Sequence, residues 1–298
     1  MLKLENVTKE YKVGAFGSKR IIALTDFSLE IRPGEVVSLI GESGSGKTTV
    51  GRMILGLLPV TEGSITFDGE EIAGLKGSQR RHYYKHVQGV FQDPFSSYNP
   101  VFKVDRIFTM IRRAFVSGVS DADWQVRLNE SLEAVGLDPR DVLGKYPHQL
   151  SGGQLQRLLI ARALMLDLKI LVADEVISML DASTRIDVLN LLGDLKQRGL
   201  GVLFVTHDLS LGNYISDRAV ILRHGRIVEM GPTELVFGNP GHPYTRMLLA
   251  SVPQVHTRWT YGEGAPLDAD ADEDGGGPGE GLVEAEKGHF VARAGGGT

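Results

Sequence analysis

Apolar and polar residues alternate along much of the first 41 residues, most clearly at positions 2–4 and 27–31. Successive side chains of a β-strand point to opposite faces, so an alternation of period two is typical of a strand with one buried face. Together with the turns between the alternating stretches, the pattern predicts an antiparallel β layer. The apolar run at positions 36–40 predicts instead a strand that is buried on both faces.

Helical and strand patterns then take turns along the chain. Apolar residues recur at helical spacing over positions 47–58, and again over 153–166 and 184–197. Short apolar runs at 170–173 and 202–205 predict two more buried strands. Strands that alternate with helices predict a parallel sheet with helices packed on it.

The remaining patterns divide the chain into four predicted parts. Residues 1–93 and 151–238 form an α/β core, and the mostly helical stretch 94–150 is predicted to be an inserted helical subdomain. Within that subdomain an amphipathic pattern at 122–135 predicts a helix. Residues 239–261 are expected to be a C-terminal extension, and the Gly- and acid-rich residues 262–298 a largely disordered tail.

Composition narrows the range of possible chemistry. The 298 residues suggest about two domains, or one large α/β unit with an appendage. The chain has no apolar run of the ~18 residues that a spanning helix needs, and its first residues are polar rather than signal-like, so we expect a cytoplasmic location. The absence of cysteine excludes disulfides, thiolate zinc sites and thiol nucleophiles.

The charge of the chain is concentrated near its end. The formal net charge is -5, but residues 263–280 hold seven acids and no Lys or Arg, which leaves 30 acids against 32 bases elsewhere. A dedicated nucleic-acid binder usually has an excess of basic residues, and this near balance of charge does not resemble that composition. No nucleic-acid partner is therefore expected.

A phosphate-binding motif lies between the strand at 36–40 and the helix that follows it. The sequence from Gly41 to Thr48 fits G-x-x-x-x-G-K-[ST]. In such a loop, backbone N–H groups and a helix N-terminus surround the phosphates, Lys47 reaches the outer phosphates and the Thr48 hydroxyl ligates magnesium. The predicted phosphate-binding residues are Gly41, Glu42, Ser43, Gly44, Ser45, Gly46, Lys47, Thr48 and Thr49.

Two carboxylates end the buried strand at 170–173. Asp174 and Glu175 would lie at the carboxyl edge of a parallel sheet, where such sheets bind ligands. Asp174 suits magnesium, directly or through water, and Glu175 suits polarising an attacking water as a general base.

A third motif runs from Leu150 to Gln154. Ser151 and Gln154 fit a capping box that opens the helix at 153–166. A serine hydroxyl, two glycines (Gly152 and Gly153) and a helix N-terminus could also hold a second phosphate group.

These three motifs together resemble the ATP-binding subunit of an ABC transporter, up to about residue 250. The resemblance implies an α/β fold: a P-loop ATPase core with a parallel sheet, an N-terminal antiparallel β layer and an inserted helical subdomain. In that family two ATPase chains close head to tail, so Ser151, Gly152, Gly153 and Gln154 would serve the ATP held by the other chain.

The same resemblance gives roles to four further residues. Tyr11 is similar to the aromatic that stacks on adenine, and Gln92 to the glutamine that touches magnesium and the membrane partner. Asp181 lies in a segment similar to the D-loop at the dimer interface. His207 is similar to the switch histidine on the γ-phosphate, and with Lys47 and Glu175 it completes the expected catalytic set.

Three segments, at 91–100, 146–148 and 239–246, are similar to the ATPases of the oligopeptide/dipeptide import group, and His242 and Tyr244 in the last are expected to dock the C-terminal extension. The chain departs from the family pattern at Val176-Ile177, where Pro-Thr is usual, and at Leu155, where a polar or basic residue is usual. Arg293 stands where a cysteine is often seen, so no iron–sulfur cluster is expected.

The resemblance implies an ATP-hydrolysing subunit that powers a binding-protein-dependent importer of oligopeptides or dipeptides, with ATP and Mg²⁺ as cofactors. The implied partners are two membrane-spanning permease subunits, a second ATPase subunit (a different chain or a second copy) and an extracytoplasmic solute-binding protein. The implied location is the cytoplasmic face of the cell membrane.

Other functions stay open at this point. The importer could carry an oligosaccharide or nickel. A soluble ABC ATPase acting on nucleic acid is less favoured, because the chain has one cassette and no sustained heptads. A small-molecule kinase would share only the phosphate loop, and a module that binds ATP without cleaving it is disfavoured by Glu175.

Overall fold

The computed structural model describes residues 1–13, 19–116, 118–251 and 281–292. The acidic stretch 263–280 and Arg293 lie outside the described residues, as does most of the predicted tail. Among the described helices, none combines the length and the apolar composition that crossing a bilayer requires.

Strands and helices alternate through most of the described chain. The strands are β1 Leu2–Val13, β2 Lys19–Ile31, β3 Val36–Ile40, β4 Glu62–Phe67, β5 Glu70–Glu71, β6 Val87–Val90, β7 Ile170–Asp174, β8 Gly201–Thr206, β9 Arg218–Arg223, β10 Arg226–Pro232, β11 Leu282–Glu286 and β12 His289–Ala292. The α-helices are α1 Lys47–Ile54, α2 Gly77–His86, α3 Asp105–Phe115, α4 Asp121–Glu133, α5 Pro139–Val142, α6 Gly152–Leu164, α7 Ala182–Gln197, α8 Leu209–Ile215, α9 Thr233–Gly238 and α10 Pro243–Ala250.

An antiparallel sheet of four strands, in the order β2-β1-β4-β5, forms one layer. This confirms the N-terminal antiparallel layer that the alternating pattern predicted. No local pattern predicted that β4 joins this layer, although β4 pairs with β1 over most of its length, with Leu2 opposite Phe67. The pairing of β1 with β2 is irregular, because its register shifts three times. Asp26, within β2, has a left-handed φ of 49°.

The second sheet has eight strands in the order β11-β12-β10-β9-β3-β8-β7-β6. Its centre is parallel, because β3 pairs in parallel with both β8 and β9, and β7 pairs in parallel with both β8 and β6. Every residue of β3, β7 and β8 is buried. The α/β fold with a parallel sheet is thereby confirmed.

Two apolar clusters cover the two faces of this sheet. Along β8, Val202 and Phe204 belong to a cluster that also takes in residues of α3, α4 and α6. Leu203 and Val205, on the other face, belong to a cluster formed with α1 and the antiparallel sheet. The helices α3, α4 and α5 lie within residues 94–150, and α3 and α4 pack on α6.

Two local expectations differ from the structure. The helix expected over 47–58 ends at Ile54, because the chain turns at Gly56, whose φ is 63°, a left-handed conformation that glycine adopts without strain. Residues 282–292 were expected to be part of a largely disordered tail, and that was wrong. They form the hairpin β11–β12, whose strand β12 adds to β10 with Glu229 opposite Val291.

Replacing Phe204 tests how much the packing of this sheet stabilises the fold. Its ring is fully buried, and it is one residue before Val205, whose carbonyl accepts from the Glu175 N–H. We expect Phe204→Ala to lower the free energy of unfolding by about 3–5 kcal/mol, because it leaves a cavity in a packed core. Equilibrium urea unfolding measures the loss. Phe95→Ala, at a ring that is 50% exposed, is the control and should change little. A loss below about 1 kcal/mol in Phe204→Ala would contradict the expected packing.

Candidate functional site

The predicted phosphate loop connects the end of β3 to the start of α1. Its first glycine, Gly41, approaches the backbone of β9 so closely that a Cβ there would lie 2.2 Å from the carbonyl oxygen of Leu222. Its last glycine, Gly46, has φ 110° and precedes the helix directly. Both positions therefore require glycine, one for space and the other for backbone conformation.

Lys47 fastens the loop from within. Its Nζ donates to the carbonyl oxygens of Gly41 and Glu42, both at 2.7 Å, and the residue is 5% exposed. Burial lowers the pKa of Lys47, and the nearby carboxylates of Glu175 and Asp174 oppose that shift. The Lys47 ammonium is thus held by the loop carbonyls and lies near the carboxylates at the end of β7. Its positive charge would attract an anionic ligand there.

Asp174 ends β7 as a buried carboxylate. It is 6% exposed, and its Oδ1 is buried without a hydrogen-bond partner. Burial first, and then the charge of Glu175, raise the pKa of Asp174, while the Thr48 hydroxyl opposes the shift. An unsatisfied carboxylate oxygen beside a threonine hydroxyl fits a magnesium ion or its bound water, because Mg²⁺ prefers hard oxygen ligands.

Glu175 follows in a strained conformation. Its φ is 50°, in the left-handed region that non-glycine residues seldom adopt. Its backbone N–H donates to the carbonyl of Val205 at 3.0 Å, which holds it across the ends of β7 and β8. The side chain reaches His207, whose Nδ1 lies 3.3 Å from Glu175 Oε1. Strain of this kind persists only where the surroundings enforce it, and it concentrates at functional sites.

An open cleft of about 990 Å³ lies over these strand ends. Four separate segments bring predicted site residues to its wall. These residues are Gly41, Glu42, Ser43, Thr48, Gln92, Asp174, Glu175 and His207. Since the carboxyl ends of β3, β7 and β8 are adjacent, the parallel sheet itself brings the three segments after those strands together.

Other predicted residues are not part of the cleft wall. Within the part of the chain that the structure describes, the predicted residues that do not line this cleft are Tyr11, Gly44, Ser45, Gly46, Lys47, Thr49, Ser151, Gly152, Gly153, Gln154 and Asp181. Tyr11 is half-buried on β1, with the Lys9 ammonium 5.3 Å from its ring centroid.

Ser151 and Gln154 form the capping box that their spacing predicted. Ser151 Oγ accepts from the Gln154 N–H at 3.2 Å, and Gln154 Oε1 accepts from the Ser151 N–H at 2.9 Å. Gly153 packs against α7, where a Cβ would meet the Thr184 side chain at 2.5 Å.

Asp181 caps the same helix α7. One of its carboxylate oxygens accepts from the Thr184 N–H at 2.9 Å and from the Ser183 hydroxyl. These hydrogen bonds hold the pKa of Asp181 well below its usual range. The capping-box segment and Asp181 therefore meet through Thr184, on a surface separate from the cleft.

No sequence motif indicated seven residues of the cleft wall. They are Ile40, Arg52, Leu57, Phe91, Asp93, Ser96 and Leu248. Arg52 lies on α1 four residues after Thr48, and this spacing places both on one face of the helix, so it could have indicated Arg52. No sequence signal indicates Leu248, which arrives from α10 near the end of the described core.

Comparison with protein families matches two parts of the chain. Residues 24–178 match the family described as "ABC transporter", and residues 228–276 match the one described as "Oligopeptide/dipeptide transporter, C-terminal region". The first match covers more than half of the chain.

Individual relatives are similar over most of their length. The oligopeptide transport ATP-binding protein of Streptococcus mutans is 42% identical over 255 residues, which are 85% of this chain and 82% of the relative. The dipeptide transport ATP-binding protein of Lactococcus lactis is 40% identical over 301 aligned positions, covering 98% of this chain and 93% of the relative.

Solved structures share the fold. A dimeric ATP-binding cassette in a post-hydrolysis state, bound to ADP and Pi, has a TM-score of 0.69 at 32% identity and covers 78% of this chain and 99% of its own. A component of an ABC transporter complex from Clostridium perfringens has a TM-score of 0.70 at 25% identity, covering 80% and 90%.

The buried carboxylate at the end of β7 generates a pH-dependent prediction. Because the folded state raises the pKa of Asp174, ionising it costs the folded state free energy. The stability that the protonated form contributes is complete below the unfolded pKa of about 3.9 and is lost as pH rises through the higher folded pKa. Asp174→Asn lacks this loss, so without nucleotide and Mg²⁺ it should raise Tm by at least about 2 °C at pH 7.

The gain should shrink as pH falls towards 4, and thermal melting at pH 7 and near pH 4 measures both values. The exposed Asp187→Asn on α7 is the control and should leave Tm nearly unchanged. An Asp174→Asn gain that is the same at both pH values would contradict the assignment to ionisation.

Proposed function

The chain belongs to the ABC transporter family of ATP-binding subunits, which hydrolyse ATP to power transport, and from this premise we propose that it powers an importer of oligopeptides or dipeptides. The cargo class rests on the match of residues 228–276 and on the printed names of the relatives from Streptococcus mutans and Lactococcus lactis.

One observation supports ATP hydrolysis at this site above all others. The cleft joins the phosphate loop, Asp174, Glu175 and His207, which lie far apart in sequence. The loop provides the phosphate cradle. The carboxylates of Asp174 and Glu175 follow β7 in the wall of the same cleft, where we place the terminal phosphate.

We assign the following roles to the phosphate loop and to the residues that line the cleft. Lys47 binds the outer phosphates, while Thr48, Gln92 and Asp174 would hold magnesium, which when bound neutralises charge on the phosphates. Glu175 orients and polarises the attacking water through its carboxylate. His207, 3.3 Å from that carboxylate, contacts the γ-phosphate and positions Glu175.

The capping-box segment and Asp181 are proposed to act in a dimer. Ser151, Gly152, Gly153 and Gln154 lie at the N-terminus of α6, which attracts anions through its free N–H groups, and Asp181 lies beside them through Thr184. We propose that two ATPase subunits close head to tail, so that these residues meet the ATP of the opposite subunit. The second subunit is a different chain or a second copy. Tyr11 is proposed to stack on adenine.

Transport requires partners beyond the ATPase. We propose two membrane-spanning permease subunits and an extracytoplasmic solute-binding protein, with this chain at the cytoplasmic face of the cell membrane. ATP can drive the permease only to the extent that it binds the closed dimer more tightly than the open one.

Glu175→Gln tests the hydrolytic role. The amide keeps the size of the side chain but cannot take a proton from water, so turnover should fall by about 10²- to 10⁴-fold. Affinity for ATP should stay within about twofold, because the phosphate loop is unchanged. Phosphate release and equilibrium nucleotide binding measure the two quantities. Undiminished turnover would remove Glu175 from this role.

Lys47→Ala should differ from Glu175→Gln by weakening the binding of ATP. It removes the ammonium that fastens the loop and meets the phosphates, so affinity for ATP should fall at least about tenfold. The same binding measurement tests it, with Tm confirming that the variant is folded. Unchanged affinity would contradict the assignment of the phosphate loop.

A tagged pull-down from detergent-solubilised native membranes tests the transport function. Two multi-spanning proteins should co-purify, together with a solute-binding protein on which peptides can then be screened. Binding of oligosaccharide or nickel by that protein in place of peptide would overturn the cargo class alone. Recovery only with nucleic acid, ribosomes or soluble enzymes would overturn the importer and leave the ATPase.

A further inference from the structure

The C-terminal part of the chain reaches the phosphate loop. Tyr244, in the first turn of α10, is 3% exposed, and its hydroxyl accepts a hydrogen bond from the backbone N–H of Glu42 at 3.3 Å. Glu42 follows the first glycine of the loop, so this contact joins two segments that are 202 residues apart in sequence. Leu248, on the same helix, lies in the wall of the cleft.

The ring of Tyr244 is enclosed on several sides. It belongs to an apolar cluster with Ile40, the last residue of β3 before the loop, and Val236 of α9. The guanidinium of Arg223 lies 4.9 Å from the ring centroid. Burial raises the pKa of Tyr244, so the hydroxyl stays protonated at neutral pH. The ring position is therefore determined by packing, and the hydroxyl is presented to one loop amide.

A buried carboxylate holds the turn that leads into α10. Glu229, on β10, is 0% exposed, and its two oxygens accept from the Gly241 N–H at 2.7 Å and the His242 N–H at 3.0 Å. His289 of the C-terminal hairpin, 2% exposed, places Nε2 2.7 Å from Glu229 Oε1. A buried carboxylate with three donors is satisfied, and it ties β10, the turn and β12 into one unit.

The connection continues to Tyr244 through His242. The Nδ1 of His242 accepts from the Tyr244 N–H at 3.1 Å and so caps α10. Burial lowers the pKa of His242, which favours the neutral ring that can accept this bond. Thus the carboxylate of Glu229 fixes the turn, the turn fixes the start of α10, and α10 fixes the hydroxyl of Tyr244.

We propose that Tyr244 is a positioning residue for the phosphate loop, through which the C-terminal unit held by Glu229 sets the affinity of the nucleotide site. The inference rests on the assignment of residues 41–48 to ATP. The hydrogen bond from the Glu42 N–H to the Tyr244 hydroxyl fixes the peptide at the start of the loop, and with it the path of the residues that follow.

Tyr244→Phe removes only the hydroxyl and keeps the packed ring. Losing one such hydrogen bond should weaken binding of a non-hydrolysable ATP analogue, with Mg²⁺, by about three- to tenfold. Titration calorimetry on the full chain measures the dissociation constant. For hydrolysis, KM should rise while kcat stays nearly constant, because the residue acts on the loop and not on the attacking water.

Tyr214→Phe is the matched control. Its hydroxyl also makes one hydrogen bond, to Asn190 Oδ1 at 3.0 Å, but the residue is not among those lining the cleft in the described chain. It should bind the analogue like the wild type and, without nucleotide, melt like it. Tyr244→Phe without nucleotide should lower Tm only by the ~2–4 °C that the loss of one hydrogen bond costs. Equal affinity in Tyr244→Phe and the wild type would overturn the proposal. So would a loss of affinity that accompanies a much larger fall in Tm, since Tyr244 would then be a packing residue only.

Glu229→Gln tests the route from the C-terminal unit. The amide nitrogen of the glutamine would face a backbone N–H from which Glu229 now accepts a hydrogen bond. Two donors would then oppose each other, so the turn should loosen and the affinity for the ATP analogue should fall. In the double variant with Tyr244→Phe, the losses should not add, because both act on the same contact. Additive losses would overturn the route. If Glu229→Gln does not fold, the comparison of the two tyrosine variants still decides the role of Tyr244.

The controls also separate this inference from the proposed function. A wild-type chain that binds no ATP analogue would refute the assignment of the phosphate loop itself. A wild-type chain that binds the analogue as tightly as Tyr244→Phe would refute only the positioning role.

Discussion

The candidate site depends on the parallel pairing of β3, β8 and β7, because parallel strands end at the same edge of a sheet. The phosphate loop, the Asp174-Glu175 pair and His207 each follow one of these strands, and the pairing alone brings them to one cleft. Every residue in these three strands is buried, and apolar clusters cover both faces of the sheet that they form. The cores of the protein and its chemistry therefore rest on the same three segments.

The cleft concentrates features that oppose stability. Asp174 has a buried carboxylate oxygen without a hydrogen-bond partner, Lys47 is an ammonium out of water, and Glu175 has a left-handed backbone. Each costs free energy in the folded protein, and the surrounding packing must offset that cost. Unfavourable features of this kind concentrate at functional sites.

The C-terminal region is continuous with the core. The hairpin β11–β12 extends the main sheet beyond β10, and Glu229, His242 and His289 join it to the turn before α10. Because α10 contacts the phosphate loop through Tyr244, the region that matches the oligopeptide/dipeptide transporter family touches the region that matches the ABC transporter family. The two matched regions are thus joined by a direct contact.

The sequence by itself determined whatever is encoded locally. Period-two and helical patterns predicted the antiparallel layer, the buried strands β3, β7 and β8, and four of the ten α-helices that the structure describes (α1, α4, α6 and α7). Short motifs predicted the phosphate loop, the carboxylate pair and the capping box at Ser151. Only the tertiary structure decided that β4 joins the first sheet, that residues 282–292 pair with β10, and that Leu248 and Tyr244 reach the loop at 41–48. These contacts join residues far apart in the chain, and the packing of the whole fold selects them, so no local pattern can carry them.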